Sequence, residues 1–382
     1  MTGMRNNRVV HHIPTMRHGG AERQLAYVSD ALIRRGWDVH VLVCDGGANL
    51  DRLRDSGATV HYLAGSGNYD PRAFVDTIRL LISLEPTLVH TWLTRSDILG
   101  GTAARLCGIP WIMSEGSSER GYPPNWRTRL RLRLARGAAA IISNSGGGDE
   151  YWAKHLSPRV ERFVIGNALP LDEIDAVQTS RHADEKTVIS AGRLSSEKNV
   201  ECLVEGFALA MRHRSFRADI YGDGPRRSAV ETAIEHSGKG GNIELKGAIP
   251  TLWAPMMAAD VFASVSTFEG SPNTVLEAMG CRCSLVLSDI PAHRELAGAI
   301  AWYVDPTSPE SIAAGIISAL DDPSQETRRA KARSIAEQRR PERVAAEFAE
   351  VYERVMQRKN TGRSISRASA ARPTTEAQLE TR

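Results

Sequence analysis

Glu269 and Glu277 stand eight positions apart in Phe-Glu-Gly-Ser-Pro-Asn-Thr-Val-Leu-Glu (268–277). The apolar run 261–266 before them predicts a buried strand. Ser271 as N-cap and Pro272 at the first helical position predict a helix whose apolar face carries Val275, Leu276 and Met279. One carboxylate then lies on a loop and the other on a helix. The free N–H groups and positive end of such a helix attract an anion. A carboxylate beside an anion site repels that anion, so its natural partners are hydroxyls. Phosphate and hydroxyls in one cleft describe a sugar nucleotide. The plain alternative is two solvated glutamates near a helix start, and the surrounding residues weigh against it.

Arg193 and Lys198 supply cations. Thr187–Gly192 predicts a strand that ends at Gly192, and Arg193–Val200 a loop leading into a helix over Val200–Ala210. Both basic residues then sit at the carboxyl end of a strand, the edge where open α/β sheets bind ligands. The guanidinium fork suits a pair of phosphate oxygens and the ammonium a point contact. Neither has an obvious buried acidic partner, although a solvated loop with a surface Arg and Lys has the same local sequence.

The elements that position these residues alternate along the chain. Strands are predicted at 8–14, 38–44, 59–63, 87–91, 110–114, 139–143 and 162–165. A second series follows at 187–190, 218–221, 243–245, 261–265, 284–287 and 301–304. Ala21, Leu25, Val28 and Leu32 follow helical spacing, and Gly36 suits the residue after that helix. Strand–helix alternation predicts parallel sheets with right-handed crossovers. Leu169–Glu185 is acidic and weakly patterned and is read as the linker between domains.

A length of 382 residues points to two domains, and 42% hydrophobic with 6% aromatic residues fits a soluble globular α/β protein. A net charge of +3 is too small to argue for nucleic acid. No window reaches the ~20 apolar residues of a membrane span. The first residues lack the apolar core of a secretory signal. Five scattered cysteines suit a reducing cytosol, and Cys281 and Cys283, one residue apart, read as core thiols rather than a zinc clip. A Gly-x-Gly-x-x-Gly after the first strand and a Walker A loop are both missing, which disfavours a dehydrogenase and that class of ATPase.

The chain resembles the retaining glycosyltransferases of family 4, with the GT-B fold. The resemblance rests on Gly19-Gly20-Ala21-Glu22, Ser143-Asn144-Ser145, Val164-Ile165-Gly166-Asn167, Ala191-Gly192-Arg193-Leu194 with Lys198-Asn199, Tyr221–Pro225, Gly247, and the Glu269…Glu277 block ending in Glu295. It spans roughly residues 8 to 355, and the C-terminal half carries the more diagnostic motifs. It implies an α/β architecture of two doubly wound Rossmann-like domains facing across a cleft. The expected division is an acceptor-side domain at 1–168, a linker at 169–185, a nucleotide-sugar domain at 186–340, a helix at 341–358 crossing back onto the first domain, and a disordered tail at 359–382.

The resemblance also implies roles. Arg193 and Lys198, after Gly192, hold the donor diphosphate and offset leaving-group charge. Glu277 takes the ribose hydroxyls, and Glu269 lies against the donor sugar. Ser271, Asn273, Thr274 and Val275 at the helix start cradle phosphate or sugar oxygens. Gly19 and Gly20 approach the phosphate closely from the opposite domain, and the chain after Gly247 reads the base. Many relatives carry a histidine after the strand at 110–114. Here Glu115 stands in its place, as a contact to donor hydroxyls, as a base toward the acceptor, or as a loop carboxylate with no role. His90 ends another strand and is a further catalytic candidate. Expected partners are a nucleotide-diphosphate sugar and a glycan or lipid-linked acceptor in cell-surface polysaccharide or glycolipid synthesis. No metal, cofactor or nucleic acid is expected. The expected location is the cytoplasm, with peripheral contact at the inner membrane surface. The arginine-dense segment 126–136 reads either as a helix with one buried seam and snorkelling arginines or as a contact for anionic lipid. A GT-B epimerase and a non-catalytic nucleotide-sugar-binding subunit are the rival readings.

Arg193→Ala and Lys198→Ala are each expected to lower turnover of an accepted donor by about 10²-fold or more while the fold stays intact. Near-normal rates in both variants, by steady-state assay, would remove the phosphate assignment.

Overall fold

A computed structural model describes residues 7–370 apart from 18, 66–69, 118–120, 123 and 180–184, with side chains described as far as residue 358. All thirteen expected strands form, each ending within two residues of its predicted bounds. The first seven are β1 (Arg8–His12), β2 (Asp38–Val43), β3 (Thr59–Tyr62), β4 (Leu88–Trp92), β5 (Trp111–Glu115), β6 (Ala140–Ser143) and β7 (Glu161–Val164). They make one parallel sheet in the order β3-β2-β1-β4-β5-β6-β7. The other six are β8 (Thr187–Ala191), β9 (Arg217–Tyr221), β10 (Ile243–Gly247), β11 (Val261–Ser264), β12 (Ser284–Ser288) and β13 (Trp302–Val304). Their order is β10-β9-β8-β11-β12-β13. Both sheets are doubly wound, and central strands such as β8 and β11 are buried throughout, as helices on both faces require.

The helix Gly20–Arg34 buries Leu25, Val28 and Leu32 on the first sheet. Val344, Phe348, Tyr352 and Val355 of the last helix, Pro341–Ala370, enter that same core. The chain's end is therefore part of the first domain's packing. The helix runs on through residues expected to be a disordered tail. With no proline until Pro373, nothing in the covalent chain interrupts its backbone hydrogen bonds before Ala370. Residues 371–382 lie outside the described chain.

The domain crossing is sharper than the expected linker. Ala168 belongs to the first core, whereas Leu169, Leu171 and Ile174 pack with Val275, Leu276 and Met279 in the second. Residues 171–175 form a short helix rather than a polar spacer. Its acidic residues, which made the segment look solvated, face outward. Asp172 pairs with Arg340 at 2.5 Å, Glu173 with Arg52 at 2.5 Å and Asp175 with Arg333 at 2.6 Å. Residues 180–184 of that segment lie outside the description. Cys281 and Cys283 are buried free thiols. No described helix is long and apolar enough to cross a membrane.

His90 does not reach the cleft. It is fully buried beside His11, its register partner on β1. Its ring nitrogens meet Tyr352 Oη at 2.6 Å and Ser114 Oγ at 2.8 Å. It ties β4 to the last helix and is not a catalytic residue, because a strand-end position does not say which way the ring points. Burial holds His90 well below the usual imidazole range, His11 at about 3 and His12 at about 4, the last helped by Arg95.

These three rings are neutral in the fold but take up protons near pH 6.5 once unfolded. Unfolding therefore binds protons below about pH 6.5, and stability is lost progressively as pH falls toward the folded values. Each ring contributes up to about 1.4 kcal/mol per pH unit in that window. Denaturant midpoints are expected to hold between pH 8 and 7 and to fall between pH 6.5 and 5. A flat profile across the lower window would show that the rings are protonated within the fold.

Candidate functional site

Each sheet reverses its winding once, between β1 and β4 and between β8 and β11. Strand ends diverge at such points and open a crevice. The two crevices face each other. The first domain contributes the loop after β1 with the start of the Gly20–Arg34 helix. The second contributes the loop after β8, the loop after β11 and the helix Asn273–Gly280.

On the second domain, Lys198 and Glu269 meet. Lys198 Nζ lies 2.5 Å from Glu269 Oε1, and Ser266 Oγ donates to the same oxygen at 2.7 Å. The expected lack of an acidic partner for Lys198 is thus corrected. The Thr267 N–H donates to the Glu197 carbonyl at 2.8 Å, which binds the β11 loop to the 3₁₀ turn Ser196–Lys198 and brings the two charges together across 71 positions. Arg193, just past Gly192, is exposed and pairs with no carboxylate among the described residues. Gly222 supports this loop. At φ 144° it lies so close that a Cβ there would stand 1.9 Å from the Gly192 carbonyl oxygen. Its N–H also donates to the carbonyl of Gly247 at 2.9 Å, so the ends of β8, β9 and β10 are fixed as one surface.

The helix Asn273–Gly280 begins one residue later than expected. Pro272 is its N-cap and no side chain caps it, so Ser271 does not play that part. The N–H of Val275 donates to the Pro272 carbonyl at 3.1 Å and is unavailable to an oxyanion. The N–H groups of Asn273 and Thr274 precede the helix's own ladder and are the free donors.

The cleft is closed by specific contacts from the first domain. Gly20 faces Asn273, where a Cβ would come within 2.7 Å of its amide nitrogen, and Gly19 is hemmed in by the carboxylate of Glu22. Gly20 therefore serves the approach of one domain to the other, whereas Gly19 makes room for Glu22 of its own helix. Arg23 Nη1 lies 2.8 Å from Glu277 Oε1, while Glu277 Oε2 is buried without a hydrogen-bond partner. Burial raises the Glu277 carboxyl above its usual range, with Arg23 opposing the shift. Glu295 accepts the N–H of Gly146 through both oxygens, at 2.8 and 3.0 Å, at the start of the Gly146–His155 helix.

A chain of amides also crosses the cleft. Gln24 Oε1 accepts from the Ala168 N–H at 2.6 Å, so its Nε2 donates to Asn273 Oδ1 at 3.3 Å. Asn167 Nδ2 donates to that same oxygen at 2.8 Å, and Asn144 Nδ2 donates to Asn167 Oδ1 at 3.2 Å. The backbone bond of Gln24 sets the direction of every amide in the series.

Glu115 is not free to act as a base. Its side chain is fully buried and accepts from Arg131 Nη1 at 2.9 Å, Trp152 Nε1 at 2.9 Å, the Ser117 N–H at 2.8 Å and the Tyr122 hydroxyl. Arg131 also donates to Asp97 at 2.6 Å and lies between the rings of Tyr122 and Trp152, 4.9 and 5.0 Å away. Glu115 therefore anchors the chain after β5 instead of presenting a charge to the cleft. The segment 126–136 has a buried seam that contains an arginine: Arg131 and Ala135 are buried, while Arg127, Arg129, Arg133 and Arg136 are exposed and Trp126 is 58% exposed.

A cavity of about 360 Å³ lies between these features. Its apolar lining, called its floor below, includes Val28, Trp92, Ile142 and Phe348, and its polar lining includes Asn144, Asn167, Ser271 and Asn273. Leu93 stands at its edge with φ 72°, an uncommon backbone state for leucine. Among the described residues, no group of three or more His, Cys, Asp or Glu could hold a metal. Arg23, Gln24, Asn144 and Asn167 were not singled out by sequence. Each stands within or next to a motif, but its partner lies on another element.

Two doubly wound domains facing across a cleft, with the last helix returning to the first, define the GT-B fold. Two family models tile most of the chain: "Glycosyltransferase Family 4" at residues 18–173 and "Glycosyl transferases group 1" at 172–339. The chain belongs to the group 1 glycosyltransferases. It is 29% identical over 137 residues to the GtfA subunit of the UDP-N-acetylglucosamine–peptide N-acetylglucosaminyltransferase of Streptococcus parasanguinis, covering 36% of this chain and 26% of that protein. Over 306 residues it is 23% identical to the Bacillus subtilis glycosyltransferase EpsF, covering 74% and 79%. Over 190 residues it is 26% identical to the N-acetylgalactosamine-N,N'-diacetylbacillosaminyl-diphospho-undecaprenol 4-alpha-N-acetylgalactosaminyltransferase of Campylobacter jejuni, covering 48% and 52%. The chain thus spans about a quarter of the first relative and half of the third. Anabaena HepE, solved with UDP and glucose, shares the fold with a TM-score of 0.78 at 19% identity, over 91% of this chain and 99% of that one.

Arg131→Met would leave Asp97 and Glu115 buried without a cation, at a cost of about 3–5 kcal/mol. Adding Asp97→Asn and Glu115→Gln is expected to recover most of that loss in denaturant titrations. Failure of the triple variant to recover would mean that the rings around Arg131, not its charge, carry the stability.

Proposed function

We propose that the protein is a retaining transferase that moves a sugar from a nucleotide-diphosphate sugar to a glycan or lipid-linked acceptor. The observation that carries this reading is the facing pair of crevices. One holds cations, a carboxylate and free helix N–H groups, and the other holds a mostly uncharged cavity. In this reading Arg193 and Lys198 take the diphosphate. Lys198 leaves Glu269 for a phosphate oxygen, which frees Glu269 to accept a hydroxyl of the donor sugar. As the nucleoside diphosphate departs, these fixed cations stabilise its developing charge without reorganising solvent. The N–H groups of Asn273 and Thr274 add donors at the helix start. Ribose hydroxyls replace Arg23 at Glu277, and the released guanidinium remains on the first helical turn beside Gly20.

Fixed cations at the leaving group also support a reaction that needs no divalent metal. For the acceptor, the C. jejuni relative's lipid-linked substrate supports a lipid-linked glycan in cell-surface polysaccharide synthesis. The exposed arginines of residues 127–136 suit an anionic membrane surface, which supports peripheral placement on the cytoplasmic face.

Purified protein is to be offered labelled UDP-, GDP- and ADP-sugars with an acceptor extract, with and without EDTA. One donor class is expected to be consumed at an undiminished rate under chelation. Complete loss with rescue by Mg²⁺ or Mn²⁺ would overturn the metal-free reading, and no consumption of any donor would overturn transfer itself.

A further inference from the structure

The cavity on the first domain's side has a chemistry of its own. At about 360 Å³ it falls within the ~300–1,000 Å³ range of small-molecule pockets. Its floor residues Val28, Trp92, Ile142 and Phe348 are otherwise core residues of the first domain. Protein interiors are close-packed, so core side chains left facing an open volume mark space kept for something else.

The polar side is equally defined. The direction of the amide chain from Gln24 forces Asn144 to spend its Nδ2 on Asn167. Asn144 Oδ1 is left buried with no hydrogen-bond partner. A buried acceptor without a partner costs about 1–3 kcal/mol, so it favours a ligand that brings a hydroxyl or amide N–H. The charges near the cavity disfavour an anion. Among the described lining residues only Glu115 and Arg131 carry a charge, and Arg131 is shared between Glu115 and Asp97, which lies outside the lining. Among the described residues no lining cation is therefore open to an anion, and a carboxylate or phosphate placed there would lose its water without gaining a charged partner.

We propose that this cavity receives the terminal unit of the acceptor as an uncharged sugar bearing a small apolar substituent, an N-acetyl or 6-deoxy methyl group, and that it rejects uronic acids and phosphorylated sugars. The methyl group lies on the floor formed by Ile142 and Phe348, and a hydroxyl or amide N–H of the sugar donates to Asn144 Oδ1. The word acceptor rests on the transferase reading. The chemical selectivity rests on the cavity alone.

The test is binding to the full chain without donor. Methyl glycosides of N-acetylglucosamine, 6-deoxyglucose, glucose and glucuronic acid, with their galacto counterparts, are titrated by saturation-transfer NMR. In at least one series the N-acetyl or 6-deoxy glycoside is expected to bind about tenfold tighter than the plain hexoside, and the uronide to bind more weakly still. Asn144→Leu should weaken the preferred sugar about fivefold or more. Phe348→Ala should shift preference from N-acetyl to N-butanoyl. If that variant does not fold, Ile142→Val makes a smaller space and should shift preference toward N-propanoyl. Equal or tighter binding of the uronide, or an unchanged order in the variants, overturns the proposal. The expected order with no turnover of any donor leaves it standing and fails the transferase reading alone.

Discussion

The close approach of the two domains at Gly20 and Asn273 is the constraint on which the rest depends. A Cβ at Gly20 would press on the Asn273 amide and hold the domains apart. With no side chain there, one carboxamide oxygen can accept from both Gln24 and Asn167. Those bonds place the uncapped start of the Asn273–Gly280 helix against the first domain's crevice. They also order the amides as far as Asn144. A single small residue thus permits both the placement of that helix start and the ordering of the amides.

Two of the cleft's charges are balanced within the protein. Lys198 is neutralised by Glu269, and Glu277 by Arg23. Buried or half-buried charges without partners are costly, and each of these two is matched within the protein. In the proposed reading, a phosphate takes the place of the carboxylate at Lys198. Hydroxyls likewise take the place of the guanidinium at Glu277. Each exchange trades one set of hydrogen bonds for another of similar kind, which lets binding proceed without exposing a bare buried charge.

Two further devices keep the first crevice in shape. The last helix brings Phe348 and Tyr352 back into the first domain's core, where Tyr352 holds His90 on β4. Beneath the chain after β5, Arg131 joins Asp97 and Glu115 in a fully buried cluster. Removing either partner of such a cluster is costly, whereas the intact cluster fixes geometry. Sequence offered His90 as the end of a strand and Glu115 as the residue in place of a family histidine. The fold spends both on holding that edge together.

What the sequence determined by itself was periodic and local. Strand-length segments alternating with helical ones were enough to predict two parallel sheets, and the central strands, buried on both faces, supplied the apolar runs among them. The order of short motifs identified the family, and the positions of Arg193, Lys198 and Glu269 after strand ends and of Glu277 on the following helix came from the same pattern. Tertiary structure alone decided which charges are spent and which remain open. Lys198 and Glu269 are 71 positions apart, Arg23 and Glu277 lie on opposite domains, and Asn144 is oriented by a chain that starts at Gln24. Helical and strand periods say which face of an element is apolar. They carry no term for the side chain that another element, hundreds of residues away, brings against the polar face, and at this site that contact determines function.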